Sequence, residues 1–193
     1  MNENYNAFKS YFINEEEFNS WYNIVKDILN NEEFKKRIYF KHHETQTLYV
    51  HCILVSIFSY KFAKRYNVNC ENCAIAGLLH DFYTHAWQYS EDLEKLDGRY
   101  KDYLNKKKKF LNSHGFRHPY EAFENSKIYF NSLINKKIEN AILVHMFPLS
   151  LLTENKFPKY KESWIITFID KIVTLKDFPK LKEIPKYLGI LKK

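Results

Sequence analysis

A short run that is apolar on every side, residues 74–79, most constrains the fold of this chain. The run reads Ala-Ile-Ala-Gly-Leu-Leu, and Asn69 stands upstream as a cap for a helix that ends at His80-Asp81. A helix without a polar face belongs at the centre of a bundle, where other helices cover all its sides. The sequence therefore predicts a helical core whose most buried helix carries a His-Asp pair at its end.

Helical spacing of apolar residues recurs along the rest of the chain, and only four Gly and five Pro interrupt it. Both features favour an all-α fold over a sandwich or barrel. The further predicted helices are 15–30, 32–39, 48–65, a helix from Pro119 to about Ile134 with His118 as its cap, 136–147 and 161–176. Residues 82–117 are predicted to be a long excursion with short helices, and the tail after residue 176 an irregular segment.

The length suits one domain with a single core. We expect a single helical bundle over residues 1–193, with its core at about 48–177 and the N-terminal helices of 15–40 packed on it. Three Cys residues do not make a disulfide framework in a chain this long, and Cys70 and Cys73 are expected to serve helix packing.

The composition also bears on location and partners. The formal net charge is +7, from 30 Lys and Arg against 23 Asp and Glu, and a basic balance attracts anions such as nucleotides or phosphate esters. Because the Lys residues are spread along the chain, we expect a solvated surface and no specific nucleic-acid partner. We find neither a signal-peptide pattern nor an apolar stretch of membrane-spanning length, so we expect a cytoplasmic protein without a membrane partner. An oligomer is compatible with the sequence.

Polar residues interrupt four of the apolar helical patterns. His51 shares a largely apolar face, His80-Asp81 closes the most buried helix, His145 follows three aliphatic residues, and Asp170 lies between two Ile residues. Each one has an ordinary explanation, as a satisfied core His, a helix cap or half of an ion pair. Taken together on one bundle they indicate a metal site, because a metal offsets the cost of burying imidazole and carboxylate groups.

The order His51, His80-Asp81, Asp170 resembles the HD-domain superfamily of metal-dependent phosphohydrolases. The local sequences that carry the resemblance are Tyr49-Val50-His51-Cys52-Ile53-Leu54-Val55, Ala76-Gly77-Leu78-Leu79-His80-Asp81 and Phe168-Ile169-Asp170-Lys171. Two further strings, His114-Gly115-Phe116-Arg117-His118-Pro119 and His145-Met146-Phe147-Pro148-Leu149, resemble a Firmicute-type group of mostly uncharacterised HD hydrolases.

The resemblance implies a ligand set for two divalent ions. The first ion would take His51, His80, Asp81 and Asp170. The second would share Asp81 as a bridge and add His118 and His145. His114 would act as a catalytic proton shuttle beside Asp81, or replace His118 as the ligand.

One departure from the family concerns phosphate binding. Many HD proteins continue His-Asp with Ile-Gly-Lys, whereas this chain continues with Phe82-Tyr83-Thr84-His85. Arg117 or Lys171 would then contact the substrate phosphate in place of the missing Lys. The Lys run at 106–109 is a third candidate, but a solvated face is the simpler interpretation of that run.

The implied activity is hydrolysis of a phosphomonoester or phosphodiester in a nucleotide-like small molecule, through a metal-activated water. Mixed His and Asp ligation suits Mn, Fe, Co or Ni, with Mg as a further candidate. Two alternatives remain open at this stage: an HD-type oxygenase with a di-iron centre, and a non-catalytic regulatory domain that binds a nucleotide.

Overall fold

The computed structural model describes residues 3–42, 46–84, 113–154 and 157–175. Helices dominate these residues, and the all-α bundle predicted from the sequence is confirmed. The α-helices are α1 (Glu15–Asn30), α2 (Glu32–Lys35), α3 (Leu48–Arg65), α4 (Cys70–Leu79), α5 (His114–Phe130), α6 (Lys136–Val144) and α7 (Lys161–Leu175). The 3-10 segments are Glu3–Tyr11, Lys36–Tyr39, Asn131–Leu133 and Leu149–Leu152. A two-residue antiparallel ladder pairs β1 (Lys41–His42) with β2 (Gln46–Thr47).

Side-chain caps explain why several helices begin where they do. Asn14, Thr47 and Asn69 lie at the N-caps of α1, α3 and α4, and each accepts a hydrogen bond from a backbone N–H of the first turn. Asn135 accepts two such bonds at the start of α6. These bonds satisfy amide groups that have no partner inside the helix. The predicted bounds of α1 and α3 and the predicted end of α4 are confirmed.

Helix α4 lies at the centre of the bundle, as its all-round apolar sequence predicts. Every residue from Asn72 to Leu79 is buried. Helix α3 packs along α4 more extensively than any other described pair, and α1, α6 and α7 also contact α4. The His-Asp pair at the end of α4 therefore lies in the interior of the protein.

The crossing of α3 and α4 is unusually close at Gly77. A Cβ atom added to Gly77 would lie 2.6 Å from the Cα atom and 2.7 Å from the backbone nitrogen of Ser56. The Ser56 hydroxyl donates to the carbonyl of Ala74 and accepts from the indole N–H of Trp21 on α1. This contact fixes the spacing of the segments that carry His51 and His80.

The predicted start of α5 and the predicted end of α6 are wrong. Helix α5 begins at His114 with Ser113 as its N-cap, so His118 and Pro119 lie inside the helix rather than at its start. Pro119 is the sixth residue of α5, beyond the first four N–H groups that have no intrahelical partner, so it cannot donate the helical hydrogen bond to the carbonyl of Gly115. Helix α6 ends at Val144 rather than Phe147 and is followed by a turn through Pro148. His145 therefore stands at a helix end.

Some predictions lie outside the described residues. These are the greater part of the excursion at 82–117, including His85 and the Lys run at 106–109, and the tail after residue 176. Within the described ranges, we find no helix both long enough and apolar enough to cross a membrane.

Candidate metal centre

Three helices bring a first group of ligand atoms together. Nε2 of His51 on α3 lies 3.2 Å from Nε2 of His80 at the end of α4. Oδ1 of Asp170 on α7 lies 3.1 Å from the His51 nitrogen and 3.5 Å from the His80 nitrogen. All three side chains are buried, and they form a group that could hold a metal ion.

A second group lies on the other side of Asp81. Nε2 of His118 on α5 is 2.9 Å from Nε2 of His145, which follows α6. Oδ1 of Asp81 lies 3.2 Å from the His118 nitrogen and 3.4 Å from the His145 nitrogen. These three buried residues also form a group that could hold a metal ion.

The Asp81 carboxylate connects the two groups through different oxygens. Oδ1 faces the pair His118 and His145, while Oδ2 lies 3.5 Å from Nε2 of His80 and 3.8 Å from Nε2 of His51. A carboxylate can offer one oxygen to each of two cations. Asp81 follows directly on the capping residue of α4, and this places it between α3, α5, α6 and α7.

Backbone hydrogen bonds orient three of the imidazole rings. His80 and His145 stand just past the last residues of α4 and α6, and each donates Nδ1–H to a carbonyl three residues earlier, Gly77 and Ile142, at 2.9 Å and 2.7 Å. His118 donates Nδ1–H to the carbonyl of His114 at 2.8 Å. Because a carbonyl only accepts, the proton must be on Nδ1, and Nε2 of the neutral ring presents a lone pair to the centre.

The donor set fits a cation between these lone pairs. In the neutral rings of His118 and His145, two acceptor nitrogens face each other at 2.9 Å with both Nδ1 protons already engaged. That arrangement is repulsive unless a proton or a metal ion lies between the nitrogens. Ligand atoms each about 2.1 Å from one ion lie about 3.0 Å apart at right angles and about 3.4 Å apart at tetrahedral angles. The separations of 2.9–3.5 Å around both groups match that range.

Burial and charge act against each other at these residues. Burial disfavours the charged form of Asp81, but the His80 and His118 side chains outweigh it and hold the Asp81 pKa well below its usual range. Burial also disfavours charge on His80, yet Asp81 and Asp170 raise the pKa of His80 to about 9. Without a metal, the His80 ring therefore carries a proton at neutral pH, in the space that a cation would fill.

The metal-free protein is expected to be most stable near pH 6.5. His80 titrates at about 9 when folded, so its stabilisation is complete below the unfolded pKa of about 6.5 and is lost as the pH rises through 9. Burial lowers the pKa of His114 to about 3, so its contribution to stability grows as the pH rises from about 3 to about 6.5. Burial also lowers the pKa of His145, which acts in the same direction.

Urea unfolding between pH 4 and pH 8 measures this dependence. From pH 6.5 to 8, the free energy of unfolding of metal-free protein should fall by about 1–2 kcal/mol. Saturating Mn²⁺ should remove that fall, because metal binding requires the deprotonated His80 ring. A fall of the same size in the presence of Mn²⁺, or in metal-free His80→Gln protein, would contradict the assignment to His80.

A cavity of about 480 Å³ opens directly onto both groups. Its polar side is formed by His42, Asp81, His114, His118, His145, Asp170 and Lys171. Its apolar side is formed mainly by Tyr83, Met146, Phe147, Pro148, Leu149 and Leu175. A larger groove of about 850 Å³ lies elsewhere, between α1, α3 and α7, and it holds none of the metal-ligand groups of the described residues.

The other predicted site residues take different positions. His114 lines the cavity and stacks on His118, with ring centroids 4.7 Å apart, but it belongs to neither ligand group. Lys171 also lines the cavity, and its ammonium donates to the carbonyls of His145 and Thr167 at 3.1 Å and 3.3 Å. Arg117 is buried on α5 and is not among the described residues that line this cavity.

The sequence analysis missed His42. This residue lies on β1, lines the cavity, and forms a third candidate ligand group with His51 and Asp81. Its only sequence signal is the His42-His43 pair shortly before α3. No apolar periodicity surrounds that pair, so nothing in the pattern marks it as buried or central.

Side chains from α5 and the 3-10 segment Lys36–Tyr39 hold the chain just after Asp81. Arg37 is fully buried and donates to the carbonyl of Tyr83 at 2.5 Å, while Asn125 donates to the carbonyl of Phe82 at 2.9 Å. Glu121 accepts from both the N–H and the hydroxyl of Thr84. These bonds set the direction in which the Asp81 segment leaves α4.

No family model, curated protein or solved structure matches this chain. Its function is therefore inferred from the geometry and chemistry of the metal centre.

Proposed function

We propose that this protein is an HD-type metal-dependent phosphohydrolase acting on a phosphomonoester or phosphodiester in a nucleotide-like small molecule. The observation that carries the proposal is the arrangement of Asp81, whose two oxygens face two separate pairs of histidine nitrogens. Two cations bridged by a carboxylate form a recurring device for hydrolysing phosphate esters.

The donor atoms assign residues to each ion. His51, His80, Asp170 and one oxygen of Asp81 would hold the first ion, and His118, His145 and the other oxygen of Asp81 the second. Nitrogen-rich ligation of this kind suits Mn, Fe, Co or Ni, and Mg remains a further candidate. Divalent ions at these positions would acidify a water molecule and neutralise charge on a phosphate ester.

The remaining cavity residues have separate roles in the proposal. Lys171 has three N–H groups and uses two of them on carbonyls of the described residues, which leaves one to donate to a phosphate oxygen. The ring of His114 stacks on that of His118 at the cavity wall, and burial lowers its pKa to about 3, so the ring is neutral at physiological pH. A neutral ring would relay a proton by accepting at one nitrogen while it donates from the other. The apolar side of the cavity suits the base or another flat group of the substrate.

Metal analysis combined with a panel of phosphoesters tests the proposal. Protein freed of metal by a chelator is expected to be inactive and to regain turnover of one or more substrates when Mn²⁺ or Co²⁺ is added. The panel should hold a generic chromogenic phosphoester, nucleoside monophosphates, cyclic nucleotides and dinucleoside polyphosphates. Tight nucleotide binding without turnover, despite bound metal, would instead support a regulatory domain.

The number of ions is a separate prediction. Protein loaded with excess Mn²⁺ and then desalted should hold about two ions per chain, since each group contains its own set of donors. His118→Ala and His145→Ala should each lower the content toward one ion, because the first group does not use these rings. Elemental analysis of wild type and both variants measures the content. A wild type that never exceeds one ion would rule out the two-ion arrangement under these conditions.

A further inference from the structure

His42 lines the cavity next to His51 of the first ligand group. Its ring packs on that of His51, with centroids 4.0 Å apart and an interplanar angle of 35°. The residue belongs to β1, which pairs with β2 immediately before α3, so the ladder ties it to the start of the helix that carries His51. His51 is fully buried, whereas His42 is half-buried and faces the cavity.

Ligand atoms of His42, His51 and Asp81 lie within 4.8 Å of one another. Two ligands on opposite sides of one ion are about 4.2 Å apart when each is about 2.1 Å from it. A small movement of the His42 side chain therefore brings all three atoms within bonding distance of one cation. We propose that His42 is an additional ligand of the first ion, an inference that rests on the metal centre of the proposed function.

This assignment makes the two ions unequal. With His42, the first ion would have five protein ligands, and an octahedral ion would keep one position for water or substrate. The second ion would have three protein ligands, from Asp81, His118 and His145, and would keep three open positions. The first ion would then be held more tightly, and the second would offer more room to a phosphate group.

Three variants separate coordination from packing. His42→Phe keeps an aromatic ring against His51 but removes the nitrogen ligand, whereas His42→Asp removes the ring and restores a ligand atom. Thr174→Ala removes another polar side chain from the wall of the same cavity, one that belongs to no ligand group of the described residues. Circular dichroism of the metal-free proteins establishes that each variant folds.

Titration with Co²⁺ measures the result without any assay of activity. His42→Phe is expected to bind the first equivalent of Co²⁺ about tenfold or more weakly than wild type. Its visible absorption should change in the direction of a lower coordination number. His42→Asp should recover the greater part of the affinity, and Thr174→Ala should bind the first equivalent as wild type does.

The failures of the two proposals are distinguishable. If wild type binds Co²⁺ tightly and His42→Phe shows the same affinity and absorption spectrum, His42 is not a ligand while the metal centre stands. Full affinity in His42→Phe together with weakened binding in His42→Asp would assign His42 to ring packing and likewise overturn the inference. If wild type itself binds no Co²⁺, the metal centre fails, and the role of His42 fails with it.

Discussion

Asp81→Asn is expected to abolish metal-dependent phosphoester hydrolysis while the helical content of the protein is retained. The substitution keeps the size of the side chain but removes the charge that both ligand groups share. Loss of one group that stabilises transition-state charge commonly lowers kcat by about 10²–10³-fold. Because Asp81 places one carboxylate oxygen toward each group, we expect a fall of at least about 10³-fold, or about 4 kcal/mol of transition-state stabilisation.

Turnover of a generic phosphoester and of several nucleotides with Mn²⁺ measures the effect. Asp27→Asn is the matched control, since it makes the same chemical change at an exposed position of α1. Equal rates for wild type and Asp81→Asn would mean that the His-Asp pair is structural or that the activity belongs to a contaminant.

A comparison of His114→Ala with His118→Ala separates two roles within α5. The first variant should lose less activity than the second if His118 is the ligand. Equal losses of activity in the two variants would support His114 as the ligand.

Gly77→Ala is expected to destabilise the fold by about 3 kcal/mol or more, at the upper end of the cost of overpacking a core. The added methyl group would meet backbone atoms of Ser56 at 2.6 Å and 2.7 Å and of Val55 at 3.0 Å, and no flexible side chain is there to move aside. Helices α3 and α4 must therefore separate. Any folded fraction should also bind metal more weakly, because His51 and His80 lie on the two helices that move apart.

Gly115→Ala provides the matched control for the stability measurement. A Cβ at Gly115 would lie 3.9 Å from the nearest atoms, which belong to the side chains of Leu149 and Met146. Alanine is also favoured over glycine in a helix by about 1 kcal/mol. Urea unfolding should therefore show Gly115→Ala as stable as wild type or more so. A Gly77→Ala protein of equal stability would show that the close crossing is not required.

Much of the fold follows from the sequence because local signals and burial agree. Asn69 is the cap that the sequence predicts for α4, and apolar residues at helical spacing over 15–30 and 48–65 predict α1 and α3. The residues of the two ligand groups around Asp81 could be identified from the sequence for a related reason. A histidine or carboxylate within an apolar pattern has to be satisfied inside the protein, and the resemblance to HD proteins ordered these residues into two sets.

Other features depend on contacts between segments distant in sequence. Proline at the first helical position is a strong statistical signal, but Ser113 takes the cap position of α5 and Pro119 is accommodated within the helix. His42 has no periodic pattern around it, and only the folded chain brings its ring against His51. The two Asp81 oxygens face different histidine pairs, and this arrangement is likewise a property of the assembled bundle.

His80 and His145 end their helices in the same way, each with Nδ1 bonded to a carbonyl that the helix itself leaves unsatisfied. Fraying of the last turn of α4 or α6 would break that bond and release the ring, so local opening of the helix and loss of the ligand are a single event. An ion bound to Nε2 would oppose this opening with the free energy of its own coordination. The segments that leave the two helices, beginning at Phe82 and Met146, form part of the cavity wall or lead into it. Metal loading would therefore slow the local motions of the cavity wall.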